Sequence, residues 1–256
     1  MNVSIIGSGN VATHLAKALK KASIQVLNIW SHRFENAQLL ADSVGAKAVS
    51  EISEITNEST VKSDIILIAV KDDAIAEVSL QLGNYNGLIA HTSGAIAMDA
   101  LANHQNYGVF YPLQTFSKHT ALDFSNIPLC IEANNTSNLN HLKQLASLIS
   151  KNVYEVDSEQ RKILHLAAVF ACNFPNYLYG IAQQLLAQHQ LDFDIIKPLI
   201  AETANKVQTA LPTEVQTGPA IRNDEQTLAK HEGLLQQHPE WLNIYKLLSE
   251  QIKKTR

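Results

Sequence analysis

The chain has 256 residues, 46% of them hydrophobic, enough for one large domain or two modest ones with cores of their own. Lys and Arg number 20 against 24 Asp and Glu, and the resulting net charge of -4 leaves no basic footprint for DNA, RNA or an anionic membrane, so small-molecule partners are favoured. The cysteines, Cys130 and Cys172, stand apart in apolar surroundings and the histidines are scattered, which argues against structural metal and disulfides.

Met1 leads straight into the apolar Val3-Ser4-Ile5-Ile6, without the basic region of a signal peptide, and no apolar run approaches membrane-spanning length. A cytoplasmic protein is expected. Strands are predicted over Val3 to Ile6, Gln25 to Trp30, Ile65 to Val70, Leu88 to Ala90, Gly108 to Tyr111, Leu129 to Ile131 and Val153 to Val156. Segments of helical apolar spacing lie between most of them, such as Val11, Leu15, Ala18, Leu19 and then Ala37, Leu40, Ala41, Val44. That alternation predicts an α/β fold with a doubly wound, mostly parallel sheet.

Near Asp157 the pattern changes. Ile163 to His189 reads as one long helix, which Pro175 should kink or divide, and Ile195 to Leu211, Asp224 to Gln237 and Pro239 to Lys254 also read as helical. The chain is therefore expected to divide into a nucleotide-binding domain over 1–157 and an all-helical domain over 158–256.

Gly7-Ser8-Gly9-Asn10-Val11-Ala12 fits G-x-G-x-x-G/A directly after a strand and at the start of an amphipathic helix. Gly7 makes the tight turn, Gly9 admits a pyrophosphate close to the backbone, and Ala12 lets helix and strand pack closely. The end of the second strand selects the dinucleotide. An acid there would hold a ribose 2′-hydroxyl and repel a 2′-phosphate, and Ile29-Trp30-Ser31-His32-Arg33 has none. Ser31, His32 and Arg33 instead offer donors to phosphate, so NADP is preferred over NAD.

Later strand ends should run beneath the nicotinamide ribose and ring: Val70 and Lys71, then His91, Thr92, Ser93 and Gly94. Ser93 lacks the G-x-S-x-G elbow of a hydrolase nucleophile and reads as a spacer. Gln114 and Thr115, in Tyr111-Pro112-Leu113-Gln114-Thr115-Phe116, are candidate donors to the substrate or to the nicotinamide amide. His165 and Asn173 lie eight residues apart, near one helix face, and could meet a carbonyl or imine. His165 is the first candidate acid/base and His91 the second. Arg222, in Thr217-Gly218-Pro219-Ala220-Ile221-Arg222-Asn223-Asp224, could clamp a substrate carboxylate, or form a surface pair beside an Asp224 that caps the next helix.

These residues resemble a family of Rossmann-like NADP oxidoreductases with a C-terminal helical domain of unknown function, through "GSGNVA", "WSHR", "AHTSGA", "YPLQTF", "HLAAVFACNF" and "TGPAIRND". The N-terminal half is also similar to the wider group of pyrroline-5-carboxylate reductase, deazaflavin-dependent NADP oxidoreductases and 3-hydroxyacid dehydrogenases. The resemblance implies that Gly7, Gly9, Asn10, Val11 and Ala12 line the pyrophosphate, that Ser31 and its neighbours hold the 2′-phosphate, and that Val70 with His91 to Ser93 face the nicotinamide. It also implies a homodimer formed through the helical domain. The lysine followed four residues later by asparagine of the hydroxyacid dehydrogenases is absent, which argues against their chemistry. The expected function is hydride transfer between NADP(H) and a small carbonyl, imine or deazaflavin at an interdomain cleft. The rival is a non-catalytic NADP-binding sensor or scaffold, and a Ser93 hydrolase is a distant third.

Overall fold

The computed structural model describes residues 1–57, 61–117, 120 and 122–255. The chain falls into two compact units, Met1–Cys172 and Asn173–Arg256. In the first, a single eight-stranded sheet has the order β3-β2-β1-β4-β5-β6-β7-β8. Its strands are β1 (Asn2–Ile6), β2 (Gln25–Trp30), β3 (Lys47–Val49), β4 (Ile65–Ile68), β5 (Leu88–His91), β6 (Tyr107–Pro112), β7 (Leu129–Ala133) and β8 (Val153–Glu155). Every neighbouring pair is parallel except β6 with β7. β4 and β5 are buried along their whole length, which explains their unbroken apolar runs: in a parallel sheet both faces of a strand are covered.

Helices α1 (Asn10–Lys21), α2 (Phe34–Val44), α3 (Ile52–Thr56), α4 (Ile75–Gln81) and α5 (Thr136–Ile149) connect the strands. Ala12, Leu15, Ala16 and Leu19 form the fully buried stripe of α1, at the spacing read from the sequence. β3 and α3 are unanticipated elements; three strand residues are too few to carry a periodicity. Between β5 and β6 the chain makes only a 3₁₀ turn, Met98–Leu101.

β2 and β3 lie on one side of β1 and β4 on the other, so the strand order reverses between β1 and β4, where a doubly wound sheet opens a crevice at its carboxyl edge. Gly7, just past β1, has φ +129°, and a Cβ there would collide with the Ala69 carbonyl just past β4. Only glycine fits both the backbone angle and the approach. The strand predicted over Ile65 to Val70 is β4, which ends at Ile68 and not at Val70.

The change of pattern at Asp157 marks the end of the strands, but the first compact unit continues to Cys172 and includes α6 (Ser158–Ala168). A capping box starts α6: Asp157 accepts from the Gln160 amide at 2.8 Å, and the Gln160 side chain accepts from the Asp157 amide at 3.2 Å. A π-helical turn, Val169–Asn173, follows, and then α7 (Phe174–Gln188). Pro175 therefore sits in the first turn of α7, where its missing N–H costs least, and the wide π turn takes up the irregularity.

The second unit holds α7, α8 (Lys197–Lys206), α9 (Pro212–Val215), α10 (Glu225–Leu234) and α11 (Pro239–Lys254), and no strand among its described residues. Its buried apolar side chains among the described residues are few: Ala220, Leu228 and Leu235. No helix among the described residues is long and apolar enough to cross a membrane.

Two histidines of the first unit are core residues. His91, at the end of β5, is fully buried; its Nδ1 accepts from the Ser93 amide at 3.2 Å, so Nε2 carries the proton and donates to the Ala97 carbonyl at 3.3 Å. Burial first, and the Arg161 cation second, push His91 down to about 4. His104, bonded to Ser79, is likewise lowered by burial. The His91 ring stays neutral in the fold down to about pH 4 but takes up a proton near pH 6.5 in the unfolded chain, and His104 acts in the same direction. Between about pH 6.5 and 4 the unfolded state thus binds more protons, and stability falls as pH falls. Denaturant titrations at about pH 7.5 and about pH 5 should show this acid loss, with His91→Gln removing part of it. An unchanged slope in that variant overturns the assignment.

Candidate functional site

A cavity of about 950 Å³ opens at the carboxyl edge of the sheet, over the β1/β4 reversal. Gly7, Ser8, Gly9, Asn10 and Val11 form one wall. A Cβ on Gly9 would meet nothing within 4 Å, so the backbone leading into α1 is open to a ligand. No acidic side chain stands in the first turn of α1, whose leading amides have no partners within the helix. That is the environment a pyrophosphate needs. Ala12 is fully buried against the sheet, so it supports the turn from below and does not touch the cavity.

Trp30, Ser31 and His32 line the next stretch, from the end of β2. Ser8 and Ser31 share a hydrogen bond at 2.7 Å between their hydroxyls, which couples the glycine turn to the residues that choose the dinucleotide. Arg33 is exposed at the start of α2 and is not among the lining residues. Val70, Lys71 and Asp72 follow β4, and Thr92, Ser93 and Gly94 follow β5, in the order that a dinucleotide laid across the strand ends requires. Turn, strand ends and volume together fit a nicotinamide dinucleotide.

Ser93 is engaged as a turn residue, its hydroxyl accepting from the Ala95 and Ile96 amides at 3.1 Å each. His91 is buried behind this turn, holding its backbone, and does not line the cavity. The second candidate acid/base is thus a structural histidine.

The far end is built from β6 and α6. Tyr111 and His165 lie 54 positions apart, yet the tyrosine hydroxyl and His165 Nδ1 are 3.0 Å apart and the rings meet edge to face. Both line the cavity. A Cβ on Gly94 would lie 2.7 Å from both His165 Nδ1 and Tyr111 Cζ, so the absence of a side chain there is what lets the pair close over the turn. Burial pushes the Tyr111 phenol up to about 12, so it holds its proton across the neutral range. Sequence reasoning missed Tyr111; the available signal was a polar group at the carboxyl end of a strand.

Gln114 and Phe116 line the same end. Gln114 Oε1 accepts from the Thr115 amide at 2.7 Å. The Asn10 side chain donates to the Phe116 carbonyl at 2.9 Å, and His14 Nε2 lies 2.9 Å from the Ser117 carbonyl. Asn10 therefore ties the 113–117 loop to α1. Asn173 and Arg222 are exposed and belong to the second unit. Asp224 caps α10, accepting from the Thr227 amide at 3.1 Å, and this bonding together with Arg222 nearby lowers its carboxyl. Among the described residues no group of three or more His, Cys, Asp or Glu side chains is placed to hold a metal.

Two family models match the chain. One, described as NADP oxidoreductase coenzyme F420-dependent, covers residues 2–90, and the other, a domain of unknown function (DUF2520), covers residues 127–252. None of the curated proteins matches. Among solved structures, a putative NADP oxidoreductase from Bacteroides fragilis is 41% identical, with 99% of this chain and 98% of that one covered and a TM-score of 0.91. A 1-pyrroline-5-carboxylate reductase from Streptococcus pyogenes is 13% identical, with 99% and 98% covered and a TM-score of 0.63. An imine reductase from Myxococcus stipitatus is 14% identical, with 99% and 92% covered and a TM-score of 0.62. At such identities these two show the fold alone. The Bacteroides fragilis protein, similar from end to end, carries the stronger inference: the chain belongs to the family of NADP oxidoreductases that join a Rossmann-like N-terminal part to a helical C-terminal domain of unknown function.

Proposed function

We propose that this protein is an NADP(H)-dependent oxidoreductase acting on a small C=O or C=N group or a deazaflavin, with Tyr111 and His165 handling the proton. The observation that carries this reading is the single cavity that runs from the glycine turn to the Tyr111–His165 pair.

Gly7, Gly9 and the leading amides of α1 would hold the pyrophosphate, and Ser8, Ser31 and His32 the 2′-phosphate, with Arg33 adding positive charge beside them. Val70, Thr92 and Ser93 would flank the nicotinamide. When bound, the nicotinamide supplies or accepts the hydride. The chain itself positions the reactants and moves the proton. A proton passing from the Tyr111 hydroxyl to the substrate heteroatom would be replaced from Nδ1 of a His165 imidazolium, which is left as neutral imidazole, so no phenolate has to persist where burial disfavours it. In the reverse direction the proton follows the same path out.

We also propose a homodimer formed through the helical unit, in a reducing compartment such as the cytoplasm. Phe174, Tyr177, Ile195 and Leu199 expose large apolar side chains, and both cysteines are free thiols.

Calorimetric titration should show NADPH binding more tightly than NADH. Ser31→Asp, which puts an acid at the end of β2, should weaken NADPH by about tenfold or more while leaving NADH little changed. Equal losses for both nucleotides would remove the 2′-phosphate assignment, and no binding of either would remove the function. Once a turnover assay with carbonyl, imine or deazaflavin acceptors is in hand, His165→Ala and Tyr111→Phe should each lower kcat by roughly a hundredfold or more, with NADPH affinity nearly unchanged. Parental turnover in both variants would exclude the pair. Light scattering should give twice the 28.2 kDa chain mass; a monomer at tens of micromolar would refute the dimer.

A further inference from the structure

The site leaves one buried charge without a task. Arg161 is fully buried, unusual for a guanidinium, and lies one helical turn before His165 on α6. Its Nη1 donates to Glu132 of β7 in an ion pair. Nη2 donates to the Ile96 carbonyl at 2.6 Å and to Ser158 Oγ at 3.2 Å. Ser158 Oγ in turn donates to Glu132 at 2.8 Å and accepts from the Met98 amide at 3.0 Å. One guanidinium thus joins β7, the segment after β5 and the first turn of α6.

Sheet register makes this cluster and the candidate site neighbours. In the antiparallel pairing of β6 with β7, Tyr111 stands opposite Cys130 and Val109 opposite Glu132. Alternation along each strand puts Tyr111, Val109, Cys130 and Glu132 on one face. Leu164 of α6 packs against the cluster formed by Val109, Tyr111 and Cys130. Arg161 and His165, at i and i+4, share a face of α6. The helix therefore makes two polar contacts one turn apart, Arg161 to β7 and His165 to β6. Ile96, held by Arg161, is two residues from Gly94, on which His165 and Tyr111 close. A buried ion pair seldom adds net stability over apolar side chains of similar volume, so stability alone is a weak reason for this one.

We infer that Arg161 is a positioning residue: through Glu132 and the Ile96 carbonyl it sets the rotation of α6 at which His165 Nδ1 reaches the Tyr111 hydroxyl. Its bearing on turnover rests on the proposed role of that pair, but the geometric claim does not. Arg161 does not line the cavity, and its proposed bearing on turnover is through the placement of His165.

The test reads the His165 ring directly. In protein with ¹⁵N-labelled imidazoles, the His165 resonances are identified by their loss in His165→Gln, and Tyr111→Phe gives the shift of a ring without its phenol partner. The double variant Arg161→Met/Glu132→Gln removes both charges, so neither is left buried and unpaired. It should fold and bind NADPH with parental affinity, yet show the His165 shifts of Tyr111→Phe. Arg161→Lys should return them most of the way. Where turnover is measurable, the double variant should lose about tenfold or more in kcat without a rise in KM for NADPH. Parental His165 shifts in the double variant would overturn the inference. An inactive parent would instead count against the proposed function and leave the ring measurement to decide the role of Arg161.

Discussion

The structure turns on a backbone approach with no room for a methyl group. Gly7 passes so close to the Ala69 carbonyl that β1 and β4 end side by side, with the chain leaving each strand in a different direction. That approach opens the crevice and brings the Gly9 backbone and the start of α1 to its wall. The next three strand ends then contribute in sheet order: β4 supplies Val70 and Lys71, β5 supplies Thr92 to Gly94, and β6 supplies Tyr111. The order of the strands becomes the order of the site.

A second constraint divides polar groups between architecture and chemistry. His91 spends both ring nitrogens on its own turn, and burial keeps it neutral, so it shapes the Ser93–Gly94 shelf without reaching a ligand. Ser93 spends its hydroxyl on the following amides. His165 is only partly buried and meets a phenol whose proton is firmly held. Two histidines that look alike in sequence therefore differ in kind. What separates them is how many of their hydrogen bonds the backbone has already claimed.

The local parts of this design were legible in the sequence. The glycine turn, the acid-free end of β2 and the strand ends after β4 and β5 are each contained within a few consecutive residues, so their chemistry follows from spacing. The Tyr111–His165 contact spans 54 positions and depends on how α6 lies on the sheet, which no local pattern carries. Arg161 was invisible for another reason: a charged residue in a helix ordinarily reads as a solvated face, and only the Glu132 partner, from a distant strand, makes its burial tolerable. Strand patterning stops at Asp157, but the Arg161 ion pair holds α6 to β7, and the compact unit runs on to Cys172.

The second unit poses a question of stability that its own side chains do not answer. Ordering a residue costs about 1–2 kcal/mol of backbone entropy, and the burial of apolar surface is the main term that offsets it. Ala220, Leu228 and Leu235 are buried, while Tyr177, Ile195, Leu199 and Leu247 each leave more than half of their surface exposed in the single chain. Polar contacts such as His231 with Tyr245 at 2.8 Å and Lys253 with Glu225 at 2.7 Å connect α10 to α11. Exposed pairs of this kind add only about 0–1 kcal/mol each. Covering the apolar faces of α7 and α8 would add the burial this unit lacks by itself. The homodimer proposed above would supply such a cover with the same surface on both sides. In that dimer folding of the helical unit and assembly would be one process, and the stability of this unit would depend on protein concentration.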